Sequence, residues 1–289
     1  NFLPAFVTRG ITQISAFIDG VLASLLPHGA VTALANAQTL YTLPVSLFGM
    51  SVAAAELPEL SAAAAAGAGG HPALRARLDL GRRRVAFFVV PTVVAFLLLG
   101  EVIAALFFQT GRFTAEDARY VWTILGGSAI GLLATTQGRL YNSAYFALHD
   151  TRTPLRFAVI RVTLTIVLGF VAAVFLPGWL GLDPKWGAVG LTASAGLSGW
   201  VEFVLLRRGL AERIGPDAPV AADFIRIWAA ALIAGGVAWL ALVRIAGGLG
   251  PVTRAAVVLA PFGAVYLLAA ALLKVPLARQ LLGGRLPAP

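Results

Sequence analysis

The sequence predicts an all-α, polytopic membrane protein with eight transmembrane helices, and three observations carry that prediction. Of its 289 residues 59% are hydrophobic and only 12% are charged, against about 25% charged in soluble domains; mean hydropathy is +0.86. Apolar runs long enough to cross a bilayer, which takes about 20 residues, recur between short polar connections. The basic residues fall unevenly on alternate connections, as a multi-pass topology requires.

Taken in order, the first span is Phe2–Leu26, interrupted by Arg9, Gln13 and Asp19, and a turn follows at 25–30. The second is Val31–Leu60, which carries Pro44 and Gly49 in its middle. Proline removes a backbone donor and clashes with the preceding turn, so this helix is expected to kink or break at Pro44. Backbone groups freed inside a membrane must find protein or water partners, so the stretch is read as lining an enclosed cavity, with Pro44 and Gly49 as hinge candidates. Ala/Gly-rich residues 61–70 and basic residues 71–84 read as an extramembrane connection. Val85–Phe108 is the third span. The loop 109–117 follows, in which Thr114 is placed to cap the next helix with Asp117 three residues on. Ala118–Leu148 is the fourth span, and its Gly127-Ser-Ala-Ile-Gly131 step would let another backbone approach closely. Leu155–Leu176 and Trp186–Leu206 are the fifth and sixth, with Trp179 and Trp186 as interfacial anchors. Phe224–Ile245 and Val252–Leu273 are the last two. The expected division is a six-helix lobe over 1–206 and two additional helices with a short basic tail over 207–289.

Numbering the connections alternately, one side collects Arg75, Arg77, Arg82, Arg83, Arg84, Arg152, Arg156, Arg207, Arg208, Arg213, Arg226, Lys274, Arg279 and Arg285. The other holds only Arg112, Arg119, Lys185, Arg244 and Arg254. The positive-inside rule puts the rich side, and with it both termini, in the cytoplasm. The net charge of +9 is thereby explained by topology and anionic lipid, and no nucleic-acid partner is needed. There is no cysteine, which excludes disulfides and thiolate metal sites. His28, His71 and His149 fall in separate inter-helix regions without ligand spacing. No nucleophile constellation or phosphate-cradling loop suggests an enzyme, and Gly67–Gly70 reads as linker. The chain opens directly on an apolar stretch without the charged start and cleavage site of a signal peptide, and reads as one that begins mid-protein.

Polar residues inside spans mark pathways by default, because each ionisable group costs at least ~2.5 kcal/mol at the bilayer centre. The ionisable set is Arg9, Asp19, Glu56, Arg139, Arg161 and Glu202, with Gln13, Asn36, Gln38, Gln137 and Asn142 as neutral companions. Arg9 and Arg139 lie near enough to span ends to snorkel. Glu56 and Glu59 are placed at the solvated end of their helix. Asp19 is too short to snorkel; its partner is either Arg139 or Arg161 in a structural ion pair, or a bound monovalent cation in a coupling role.

Three blocks then resemble the MurJ/MviN family, the lipid II flippases of peptidoglycan synthesis. They are Gln13–Ser24, Leu40-Tyr-Thr-Leu-Pro-Val-Ser-Leu-Phe-Gly-Met50 with its continuation to Ser61, and Phe108-Gln-Thr-Gly-Arg-Phe-Thr-Ala-Glu-Asp117 followed by Ala144–Pro154. Their order and spacing match the second half of that family across almost the whole chain. The resemblance implies the second six-helix lobe and the two extra helices of a fourteen-helix transporter, with the first lobe as a missing partner. It implies transport by alternating access of lipid II, or another polyprenyl-diphosphate-linked sugar, across the bacterial cytoplasmic membrane. The head group would enter a cavity between lobes and the lipid tail a groove formed by the last two helices. Substrate-cavity candidates are Asn36, Gln38, Thr39, Arg139, Arg161 and Arg9, with Asp19 as the ion-coupling candidate and no cofactor beyond a monovalent cation. Family members usually carry an arginine five residues before the proline of the second block; here that position is Thr39. That departure keeps two alternatives open: a non-transporting scaffold or lipid II-binding protein of the same fold, and an ion-coupled exporter of the same superfamily.

Overall fold

The computed structural model describes residues 20–27, 29–216, 220–245 and 247–282. Most of the first expected span, including Arg9, Gln13 and Asp19, lies outside the described residues, as do His28 and Arg285. A helix over 20–24 (α1) leads into α2, Ala30–Pro44. The chain continues without leaving the helix through a π-helical segment, Val45–Met50, into α3, Ser51–Ala65. Then come α4 (His71–Phe108), α5 (Ala115–Ala147) and α6 (Arg152–Phe170). A second π-helical segment, Val171–Phe175, joins α6 to the short α7 (Leu176–Trp179). The remainder is α8 (Gly187–Ile214), α9 (Ala221–Arg244), α10 (Pro251–Leu272) and α11 (Pro276–Leu282). Among the described residues no strand occurs.

Six helical stretches among the described residues are long and apolar enough to cross a membrane: 30–65, 71–108, 152–179, 184–214, 221–244 and 251–272. The expected fourth span, α5, is long enough but not apolar enough, because its second half carries Thr135, Thr136, Gln137, Arg139 and Asn142. It tolerates them because it is the central helix. Leu125, Leu132, Leu140, Tyr141 and Tyr145 are fully buried, so protein rather than lipid solvates it. The expected linker 61–84 is also helical. Its alanines are the best helix formers, and Leu74, Leu78 and Asp79 bury against the lobe while Arg77 between them is exposed.

Small residues set the closest crossing. A Cβ at Gly131 would lie 2.4 Å from the Gly196 Cα, and one at Gly127 would lie 2.4 Å from the Thr192 hydroxyl oxygen. The glycine step of α5 therefore brings α8 into backbone contact. Aromatic side chains with a polar end stitch the remaining seams: Trp200 Nε1 donates to Ile130 O at 2.8 Å, Trp122 Nε1 to Phe96 O at 3.0 Å, and the Tyr145 hydroxyl to Leu206 O at 3.0 Å. The Thr114 cap forms as expected: the Asp117 amide donates to Thr114 Oγ1, and the Thr114 amide donates to Asp117 Oδ2 at 2.7 Å.

The two additional helices, α9 and α10, pack on α4, and one hydrogen bond there answers a proline. Pro91 lies inside α4 and has no N–H for the carbonyl of Phe87, one turn earlier. The Tyr266 hydroxyl of α10 donates to Phe87 O at 2.5 Å, its ring 5.4 Å from that of Phe87. A carbonyl orphaned by proline inside a membrane is thereby satisfied. The helix α8 runs on to Ile214, past the division expected at 206.

Candidate functional site

The interrupted helix α2–α3 carries the site. Its buried face is Ala30, Ala33, Ala37, Leu40 and Pro44. On the opposite face Ala35, Gln38, Thr39, Thr42, Leu43 and Ser46 line an open groove of about 520 Å³. Spacings of three and four residues put these side chains on one stripe. The hydroxyls of Thr39 and Thr42 donate to the carbonyls of Ala35 (2.9 Å) and Gln38 (2.8 Å) of their own helix, so they offer lone pairs to the groove, and the Gln38 amide is exposed along it. No charge lies on this stripe.

The break follows Pro44 directly. The Leu40 carbonyl has no proline N–H to receive, and the following turn widens to π geometry over Val45–Met50. Insertions of this kind are frequent at functional sites. Gly49 is in this wide turn. A Cβ there would lie 3.1 Å from Thr136 Cγ2 and 3.4 Å from Arg139 Cδ. The missing side chain thus lets the stem of Arg139, from α5, lie across the π segment.

Charge gathers behind the stripe. Arg161 Nε of α6 sits 3.2 Å from Glu202 Oε2 of α8, with side-chain exposures of 22% and 15%. The contact has ion-pair distance but not hydrogen-bond direction, since Arg161 Nε has no hydrogen-bond partner. Arg139 interacts electrostatically with both members of the pair and with Tyr41, whose hydroxyl donates to Thr135 Oγ1 at 3.2 Å. Arg139 Nε is buried without a hydrogen-bond partner. Four helices (α2, α5, α6, α8) therefore enclose two guanidinium groups and one carboxylate, a cluster with a surplus positive charge. Such a cluster can hold an anion, and arginine presents the planar donors that suit phosphate oxygens.

Of the residues named from sequence, Gln38 and Thr39 line the groove. Arg139 and Arg161 meet in the charged cluster. Pro44 immediately precedes the π segment and Gly49 lies within it, and Asn36 is half-buried off the stripe. Arg9 and Asp19 lie outside the described residues. Thr42 and Ser46 were missed, although they follow Gln38 and Thr39 at helical spacing. Tyr41 and Thr135 were missed because nothing local distinguishes them.

Glu56 corrects one expectation. It is not solvated but 2% exposed, and its Oε1 accepts from Arg84 Nη1. Beside it Gln137 Nε2 donates to the Arg82 carbonyl at 3.0 Å. The helix runs on past the expected end to Ala65 and packs against α4 and α5, so Glu56 lies mid-helix, is buried and needs a cation. Glu59 behaves as expected, pairing in the open with Arg77 at 3.0 Å. Among the described residues no cluster of histidine and carboxylates could hold a metal ion.

A family profile described as lipid II flippase MurJ matches residues 1–258. A probable lipid II flippase MurJ from Rhizobium meliloti is 34% identical over 245 residues, covering 83% of this chain and 43% of that protein. A lipid II flippase MurJ from Burkholderia cenocepacia is 28% identical over 245 residues, covering 84% and 45%. Among solved structures, a lipid II flippase MurJ in an inward closed conformation superposes with a TM-score of 0.77 at 22% identity, over 97% of this chain and 54% of that one. The chain thus spans less than half the length of these curated relatives.

Proposed function

The chain belongs to the family of the lipid II flippase MurJ, a family of membrane transporters, and from that premise we propose that it forms the second lobe and the two following helices of a lipid II flippase. In this reading the first six-helix lobe faces the α2 stripe, and the space between the lobes takes the diphosphate-sugar head group of the polyprenyl-linked peptidoglycan precursor. Rocking of the lobes exposes that space to one side of the bacterial inner membrane and then the other. The arginine-rich connections face the cytoplasm, where the positive-inside rule puts them. The region beyond 206, with α9 and α10, accommodates the lipid tail. Asp19 is the group through which a monovalent cation would couple.

The observation that carries this reading is the groove on α2, polar and uncharged, beside a π-helical break and in front of an arginine cluster. A helix that only faced lipid would have no use for Gln38, Thr39, Thr42 and Ser46 in a row. Because Thr39 stands where the resemblance to the family leads to the expectation of an arginine, the electrostatic grip passes to Arg139 and Arg161, one layer deeper. The test is complementation. The full-length gene is placed in cells depleted of their own flippase, and growth and translocated lipid II are measured. Growth is expected with the parent gene and with Thr39→Arg, the latter raising lipid II affinity, and loss of translocation is expected with Arg139→Gln. Lipid II binding without translocation by the parent protein would overturn transport in favour of a binding role. Unchanged affinity in Thr39→Arg would show that position 39 does not face the substrate.

A further inference from the structure

A second cavity, of about 510 Å³, lies on the arginine-rich side, away from α2. Its walls are Pro72, Arg75, Ala76, Asp79, Leu80 and Arg83 from the first turns of α4, and Pro216 from the connection after α8. Arg75 and Arg83 are two turns apart and therefore on one face of the helix. Their charges are not cancelled in the same way. Asp79 is held by Arg82 at 2.8 Å, both nearly fully buried. Arg83 shares Asp223 of α9, at 2.9 Å, with Arg226 at 3.7 Å. Among the described residues no carboxylate pairs with Arg75, and its Nε is buried without a hydrogen-bond partner. Among the described residues, the cavity wall thus carries two arginines, Arg75 and Arg83, beside one aspartate, Asp79, that Arg82 already holds. The backbone makes room for Arg75: Gly215 has φ 92°, and a Cβ there would stand 2.8 Å from Arg75 Nη1.

Depth supplies the remaining constraint. The helix α4 has 38 residues, about 57 Å at 1.5 Å per residue, against a hydrocarbon core of about 30 Å. Its apolar part begins at Val85, so Arg83 sits at the edge of the core and Arg75 about two turns further out, in the head-group layer. Ala76, Leu80, Pro72 and Pro216 add apolar walls to the same cavity. Basic cavities between membrane helices at this depth are suited to anionic head groups.

We propose that this cavity binds the phosphodiester head group of an anionic phospholipid, with Arg75 as its principal ligand and Arg83 as the second. The cavity joins the first turns of α4 to the connection after α8, and Arg83 in its wall pairs with Asp223 of α9. It is independent of the α2 groove and does not require the flippase reading.

The probe is phosphatidylglycerol presented to the purified full-length protein in mixed micelles, with phosphatidylcholine as the neutral competitor and bound lipids counted by native mass spectrometry. Arg75→Gln should lower phosphatidylglycerol occupancy about five-fold, the worth of one arginine near an anionic surface. Arg75→Lys, which keeps the charge, should retain most of it, and Arg77→Gln, whose partner is the exposed Glu59, should change nothing. Gly215→Val offers a second variant, which displaces the Arg75 guanidinium without removing charge and should also lower occupancy. Equal losses in Arg75→Gln and Arg77→Gln would overturn the site in favour of diffuse surface charge. Binding of inorganic phosphate at Arg75 with no preference for phosphatidylglycerol would overturn the head-group assignment.

Discussion

Replacing Glu202 by glutamine should destabilise the protein more than replacing either arginine it faces. The cluster holds Arg139, Arg161 and one carboxylate, so it carries one net positive charge. Removing the carboxylate leaves two mutually repelling guanidiniums with no counter-charge among the described cluster residues. Removing Arg161 leaves Glu202 still neutralised by Arg139. With Arg161 Nε 3.2 Å from Glu202 Oε2 and charge centres roughly 4 Å apart, the pair is worth about 4 kcal/mol at an effective dielectric constant of about 20. Breaking a buried pair by deleting one partner costs about 3–5 kcal/mol. Glu202→Gln should therefore lose about 3–5 kcal/mol, and Arg161→Gln about 1–2 kcal/mol, because the surviving Arg139 offsets part of the loss. The double variant should lie close to Arg161→Gln, since both retain no more than one unpaired charge. The assay is unfolding in detergent followed by fluorescence-detected size exclusion or by tryptophan emission; the chain has no cysteine for thiol-reactive dyes. Equal losses for Glu202→Gln and Arg161→Gln would refute the shared-carboxylate reasoning. A loss under ~1 kcal/mol for Glu202→Gln would show that the cluster is solvated.

Four further outcomes are expected. Gly131→Ala puts a methyl group 2.4 Å from Gly196 Cα, which forces α5 and α8 apart and should cost about 1–3 kcal/mol, read as a lowered melting midpoint. Tyr266→Phe leaves the Phe87 carbonyl orphaned beside Pro91; it should cost about 1–3 kcal/mol and raise hydrogen exchange in α10 before the rest of the lobe. Thr114→Ala removes the cap of α5 and should cost about 1 kcal/mol, with Thr114→Ser restoring most of it. Burial pushes the Asp150 carboxyl up, but hydrogen bonds from Thr153 and Arg213 outweigh it and hold the group below the usual range. Its stabilising effect is therefore present at neutral pH and is lost as pH falls below about 4, through its folded-state pKa. Asp150→Asn should flatten the stability–pH curve in that acid window, and an unchanged slope would show that Arg213, 2.7 Å away, does not hold the charged form.

Sequence alone determined the features that depend on local chemistry. Membrane class follows from the solvation of side chains, which composition reports directly. The break after Pro44 follows from a missing N–H, and the cap at Thr114 from two side chains three residues apart. The glycine step of α5 announced a close approach because only a missing Cβ permits one. The three ordered blocks announced the family. What tertiary structure decided are the pairings between residues far apart in the chain. Glu56 is buried rather than solvated because its helix runs on to Ala65 and packs there against α4 and α5. The helix α5 is less apolar than a span should be because its neighbours, not lipid, surround it. Arg139 and Arg161 looked like two isolated charges, and only the crossing of α5, α6 and α8 makes them one cluster around Glu202. Nor does any local pattern assign Tyr266 to the carbonyl orphaned by Pro91, 175 positions earlier, since that choice is made by where α10 docks. Local rules act through bonds and neighbours within a turn. Burial and charge balance are properties of the packed bundle, and inside a membrane they decide which polar residues are structural and which are left to bind.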